Sequence, residues 1–179
     1  MTKNVSDDPR ITAVGLLVEA HAGLSARFAT QYEENGLSAV EFEVLTRLAR
    51  SPGNQLRMTD LAAQTSLSTS GVTRVVDRME RDGLLCRRAC PSDRRSSYAV
   101  VTRSGLDRLN ETLPGHLKII EQWFTGQLEP QELEALLHAL RKVRDAVHPG
   151  ATAGSQAPDP GAKETADSEH SVVRSGRRR

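Results

Sequence analysis

Leu67-Ser68-Thr69-Ser70-Gly71-Val72-Thr73-Arg74-Val75-Val76-Asp77-Arg78-Met79-Glu80-Arg81-Asp82-Gly83 is the stretch that decides the fold of this 179-residue chain. Val72, Val75, Val76 and Met79 recur at i, i+3, i+4 and i+7, which lays an apolar stripe along one face of a helix. Ser70, Thr73, Arg74 and Arg78 fall together on the opposite, solvent side. Ser68 is placed to cap the helix, because its hydroxyl accepts from the unpaired N–H groups of the first turn. Gly83 ends it, as a residue that takes positive φ at no steric cost. Small hydroxyl residues followed by arginines suit a helix that enters a nucleic-acid groove. An ordinary amphipathic surface helix would show the same stripe, so the neighbouring sequence must decide.

Upstream, Leu56–Thr65 reads as a short helix, and Ser66-Leu67 is a tight connection into the stretch above. Two short helices joined in this way make a helix-turn-helix. Downstream, Leu84–Arg88 and Tyr98–Thr102 read as strands by their β-propensity. Between them, Cys90-Pro91-Ser92-Asp93-Arg94-Arg95-Ser96-Ser97 is a polar loop with a basic tip. A basic hairpin directly after a helix-turn-helix is the layout of a winged helix. Its arginines suit a narrow minor groove, where the negative potential is strongest.

The outer segments are helical by their apolar spacing. Ile11, Val14, Leu17, Val18, Leu24 and Phe28 predict a long first helix over 10–35, stopped by Asn35-Gly36. His21 shares its side with Leu17 and Leu24 and reads as a packing residue. Ser38 and Glu41 form a capping box for a second helix carrying Phe42, Leu45 and Leu48; Ser51-Pro52-Gly53-Asn54 stops it. Thr102 is a cap for a helix running through Leu106, Leu109, Leu113, Leu117, Ile120 and Phe124. Pro114-Gly115 predicts a kink or break inside that helix. Pro130, in a first-turn position, opens a last helix striped by Leu133, Leu136, Leu137, Leu140, Val143 and Val147. The expected fold is thus mainly α, a winged helix-turn-helix with a small β-hairpin wing plus N- and C-terminal helices. Residues 1–9 and 149–179 are expected to lie unordered outside it. The tail has too few large apolar side chains to offset the entropy of ordering, and its last six residues include four arginines.

The formal net charge is only +1, but it is unevenly placed. The segment from Arg57 to Arg103 carries +4, residues 1–56 and 104–148 together carry −4, and the tail carries +1. A basic block within an acidic chain is a footprint for an anionic partner. No apolar run approaches the ~18–20 residues of a membrane span, and no secretory signal is read at the N-terminus, so the expected location is the cytoplasm. Cys86 and Cys90 form no disulfide framework, which fits a reducing compartment. Four fully extended residues separate their Cα atoms by about 13 Å, so an internal bridge needs a bend at Ala89. No phosphate-binding Gly loop, metal-spaced cluster or nucleophile–base pair is present. Neither an enzyme nor a cofactor or metal site is therefore expected.

These residues together resemble the MarR (multiple antibiotic resistance regulator) family. The resemblance rests on Leu61-Ala62, the run Leu67–Leu84, Arg87-Arg88, Pro91-Ser92-Asp93-Arg94-Arg95 and Val101-Thr102. The Asp-Arg-Arg motif ten residues after Gly83 is its most specific element, and the likeness spans about residues 10–148. It implies a homodimer built from helices in 10–35 and 104–148, with a DNA-binding lobe at 38–102. It implies two recognition helices in successive major grooves of a pseudo-palindromic operator, with release from DNA by a small anionic or phenolic effector. Carried over by position, Ser68, Thr69, Ser70, Thr73, Arg74 and Arg78 become recognition-helix contacts, with Ser68 and Ser70 near phosphates and Thr73 and Arg74 nearer base edges. Arg94 and Arg95 become wing contacts, and Asp93 with Arg88 the wing's salt bridge. Cys86 and Cys90 depart from the family pattern, and both lie next to or near the cationic Arg87 and Arg88. The expected function is a ligand-responsive, DNA-binding repressor. A thiol-based redox regulator using Cys86 and Cys90 and a winged helix that binds protein instead of DNA are the alternatives.

Overall fold

A computed structural model describes residues 8–65, 67–90 and 93–151, with the backbone alone described for Asp93, Arg94 and Arg95. In chain order the elements are α1 (Pro9–Glu34), α2 (Ala39–Ala49), β1 (Gln55–Arg57), α3 (Met58–Gln64), α4 (Thr69–Arg81), β2 (Leu85–Cys90), β3 (Asp93–Val101), α5 (Arg103–Trp123) and α6 (Pro130–Val147). The fold is the expected one, mainly helical with a small antiparallel sheet. The local stop and start signals explain most boundaries. The Ser38 hydroxyl accepts from Glu41 N while the Glu41 carboxylate accepts from Ser38 N, the reciprocal capping box. Ser68 accepts from Gly71 N, and Thr102 accepts from Gly105 N. Gly83 takes φ 73° after α4.

Asp8 caps α1 through Arg10 N, and Pro9 occupies its first turn. The helix therefore begins inside the segment expected to be unordered. At the other end, His148 Nε2 lies 3.2 Å from the Ala63 carbonyl, and a Cβ on Gly150 would sit 3.0 Å from the same oxygen. The chain just past α6 thus lies beside the end of α3, with Pro149 and Gly150 still exposed. The rest of the expected tail lies outside the described residues.

Two expectations are corrected and a third is narrowed. Leu56 and Arg57 are not the start of a helix. Gly53 (φ 65°) and Asn54 (φ 53°) turn the chain, and Gln55–Arg57 then pairs antiparallel with β3, in the register Gln55↔Val100, Leu56↔Ala99 and Arg57↔Tyr98. The sheet is therefore three-stranded, in the order β1-β3-β2, because the second edge of β3 would otherwise leave its N–H and C=O groups unpaired. The hairpin is also longer than its propensities predict. The pairing runs from Leu85↔Val101 to Cys90↔Asp93, so strand backbone extends into the polar loop. Finally, of the kink or break expected at Pro114, the break is absent, since α5 runs on through it. Pro114 has no N–H for the Asn110 carbonyl, and both residues are exposed.

The core fills the space between α2, α3, α4 and the sheet. Val44, Leu45, Leu48, Leu61, Val76, Met79 and Ala99 are wholly buried, and Val72 and Leu85 nearly so. Val75 completes the α4 stripe as a partly buried neighbour. The stripe therefore locks α4 at a fixed angle beside the sheet and turns its polar face outward.

Candidate nucleic-acid interface

Ser68, Thr69, Ser70, Thr73, Arg74 and Arg78 are all exposed. Their presentation follows from the helix itself. Ser68 sits before the first turn, where its Oγ is 3.1 Å from both Gly71 N and Ser70 Oγ. Thr73 Oγ1 donates back to the Thr69 carbonyl at 3.0 Å, which fixes its rotamer. Arg74 has no hydrogen bond or ion pair among the described residues. Its guanidinium keeps all five donors for an outside partner.

Arg78 is different. Its Nε donates to Glu41 Oε1 at 2.6 Å, across from α2. Glu41 is buried, with 8% exposure. Burial acts to raise its pKa, yet the two hydrogen bonds from Ser38 and the charge of Arg78 outweigh it and hold the carboxyl below its ordinary value. One residue thus closes the α2 cap and anchors the recognition helix. Arg78 keeps its terminal nitrogens toward solvent, with its side chain 48% exposed.

Sequence reasoning did not assign Arg87 to the site. Arg87 reaches from β2 back to α4, where Nη1 pairs with Asp77 and, at 3.2 Å, with Glu80 Oε2. Its backbone N donates to Glu80 Oε1 at 3.0 Å, and Nη2 lies 3.5 Å from the Thr73 carbonyl. The clue present in the sequence was an arginine in the strand that follows a helix carrying acids at i and i+3.

In the wing, the Arg88 guanidinium donates to Gln55 Oε1 on β1. Its expected partner Asp93, like Arg94 and Arg95, has a side chain outside the described residues. Strand backbone nevertheless carries Asp93, Arg94 and Arg95 to the far end of the hairpin from α4. Neither cysteine is joined in a disulfide; Cys86 is exposed and Cys90 buried. Strand alternation would put positions four apart on one face. A register shift between Ala89 and Cys90 interrupts that alternation, and Cys90 turns inward, 3.9 Å from Tyr98 Oη. Tyr98 also receives Arg57 Nε at 3.4 Å.

Beside this lobe, α1, α2 and α5 meet around His116. Its ring centroid is 4.6 Å from that of Phe28 and 4.7 Å from that of Phe42. Tyr32 Oη and His116 Nδ1 share a hydrogen bond of 2.9 Å. Burial pushes the Tyr32 pKa up and the His116 pKa down. Gln31 Nε2 donates to the Thr112 carbonyl at 3.0 Å, while its buried Oε1 has no partner among the described residues. His21 is exposed, 3.4 Å from Ser25 Oγ. Among the described residues no group of three or more His, Cys, Asp or Glu is placed to hold a metal. No helix of the described residues is long and apolar enough to cross a membrane.

A profile described as the MarR family matches residues 37–97, the span from the α2 cap through the hairpin. AbsC, a MarR family transcriptional regulator from Streptomyces coelicolor, superposes with a TM-score of 0.74 at 30% identity, over 81% of this chain and 97% of that one. Sco3205, a MarR family transcriptional regulator of the same organism solved in complex with DNA, gives 0.71 at 31% identity, over 75% and 88%. BpsR of Bordetella bronchiseptica, whose DNA binding is regulated by 6-hydroxynicotinic acid, gives 0.68 at 26% identity, over 81% and 99%. With an exposed Ser/Thr/Arg helix face, a hairpin wing and likeness along nearly the whole length of these regulators, the chain belongs to the MarR family of DNA-binding transcriptional regulators.

Proposed function

We propose that this regulator is a homodimeric repressor that binds a pseudo-palindromic operator in the cytoplasm and leaves it when a small effector binds. The observation that carries the DNA-reading assignment is the α4 surface. Its apolar face is locked into the core while Ser70, Thr73 and the unpaired Arg74 stand together in solvent. Ser68, Thr69 and Ser70 fit phosphates at the helix start, and Thr73 and Arg74 fit base edges. Arg94 and Arg95 fit the flanking minor groove or backbone.

Dimerisation through α1, α5 and α6 is supported by the apolar surface that one chain leaves uncovered. Ile11, Val14, Leu17 and Val18 on α1, Leu117 and Trp123 on α5, and Leu137, Val143 and Val147 on α6 are exposed. No residue of α6 is buried. Two copies of α4 held at a fixed separation read two half-sites one helical turn apart. The effector belongs at the seam where α1 and α5 meet α2, since a molecule there alters the angle between the paired helices and the reading lobe. The unpaired Gln31 Oε1 is an acceptor, which favours a phenolic hydroxyl over a carboxylate.

The test is to sequence the DNA fragments that the protein retains from a genomic pool, with and without candidate phenols, and to repeat the measurement with Arg74→Ala. Retention of one palindrome-like motif, lost on adding an effector, is expected. Arg74→Ala should weaken binding by ~1–3 kcal/mol and relax the preference at one position per half-site. Retention without any shared motif would remove the operator reading.

A further inference from the structure

Asp77 stands on the face that α4 offers to DNA. It follows Thr73 by four residues and Arg74 by three, so all three side chains share one side of the helix. Its side chain is 49% exposed. A carboxylate in that place opposes the reading surface around it, because duplex DNA presents one negative charge per ~1.7 Å of its axis. The structure answers this with Arg87. Glu80 fixes Arg87 at two points, its backbone N and its Nη1, and the same guanidinium nitrogen then meets Asp77. Glu80 thus already ties β2 to α4 at two points. A half-exposed ion pair adds little to fold stability, so the Asp77 arm has its effect elsewhere. On the other flank the roles are reversed, and Arg78 of α4 is itself paired with the Glu41 carboxylate of α2. Arg74, between the flanks, has no acid partner among the described residues.

We propose that Arg87 is a positioning residue for DNA recognition: it masks the charge of Asp77, so that Arg74, one turn earlier on α4, enters the groove with no bare carboxylate beside it. This rests on the DNA-reading assignment above. Arg87 acts through Asp77, without touching DNA itself. Removing the mask should therefore harm binding only while the charge it masks is present.

The experiment measures affinity for a duplex that the wild-type protein selects from a random-sequence pool. Arg87→Gln, Asp77→Asn, the double variant and Arg87→Lys are compared, each checked for folding by thermal denaturation. Arg87→Gln should bind tenfold or more weakly. Asp77→Asn should stay within about threefold of wild type, and the double variant within about threefold of Asp77→Asn. Arg87→Lys retains the charge without the planar fork and should stay close to wild type. A double variant as weak as Arg87→Gln would overturn the proposal, because a phosphate contact or a purely mechanical staple is not rescued by neutralising Asp77. A tenfold loss from Asp77→Asn alone would overturn it too, by making Asp77 a contact in its own right. If Arg87→Gln fails to fold, Arg87→Lys against wild type carries the test, and a tenfold loss there would sink the mask. A wild-type protein that selects no duplex would overturn the DNA-reading assignment and this inference with it, whereas a failed rescue in a protein that binds DNA overturns only the inference.

Discussion

His116 shows how much one side chain here depends on its surroundings. Phe28, Phe42 and Tyr32 enclose the ring, and that desolvation disfavours the imidazolium. With the folded pKa below the ordinary value of about 6.5, the unfolded chain takes up the proton first as pH falls. The stabilisation from the neutral ring is therefore complete above that value and is lost as pH drops toward the folded pKa. His116→Asn should thus show a smaller fall in Tm between pH 7.5 and pH 5.5 than wild type. An equal fall in both proteins would show that His116 does not contribute. Glu41 acts in the same direction at lower pH. Its lowered pKa stabilises the fold above the ordinary carboxylate range, and that contribution fades as acid protonates it. None of these environments is visible in a list of residues. His116 and Phe28 are far apart in sequence, and Glu41 meets Arg78 only because α2 lies beside α4.

At the scale of elements, the caps were legible because they are local. Ser38 with Glu41, Ser68, Thr102 and Pro130 each act within about one turn, so their pattern is written in consecutive residues. β1 was missed because three residues carry no readable period, and its strand character comes from a free edge of β3. The turn inward of Cys90 escaped notice for a related reason, since it depends on a register shift between two strands. The start of α5 offers a test of close packing. A Cβ on Gly105 would lie 2.2 Å from the Leu84 carbonyl oxygen and 2.9 Å from Val101 Cγ1. Gly105→Ala must therefore push the helix away from the sheet, although alanine favours a helix intrinsically. Such overpacking costs ~1–3 kcal/mol, read as a lower midpoint in urea denaturation. An unchanged or raised midpoint would contradict this packing.

For the molecule as a whole, the distribution of apolar surface matters most. The stripes of α1, α5 and α6 are regular in sequence and yet partly bare in the single chain, with Val14 at 62% and Leu17 at 51% exposure. Covering a large aliphatic side chain contributes ~1.5–3 kcal/mol, so a second copy seated on these helices gains from each of them. Leu17→Glu should weaken dimerisation at least tenfold in sedimentation equilibrium. Operator affinity should fall with it, because one half-site alone binds weakly. A variant that remains dimeric at the wild-type concentration would move the interface elsewhere.

The sequence by itself determined the helical spacing, the caps, the helix-turn-helix with its basic hairpin and the family. These depend on interactions within a few residues, or on a periodicity that survives in any context. Tertiary structure decided the third strand, the burial of Cys90, the aromatic enclosure of His116 and the pairing of Asp77 with Arg87 and of Glu41 with Arg78. Each of these joins groups whose distance is set by how elements pack, and a charge or an edge acquires its partner only when the chain has folded around it.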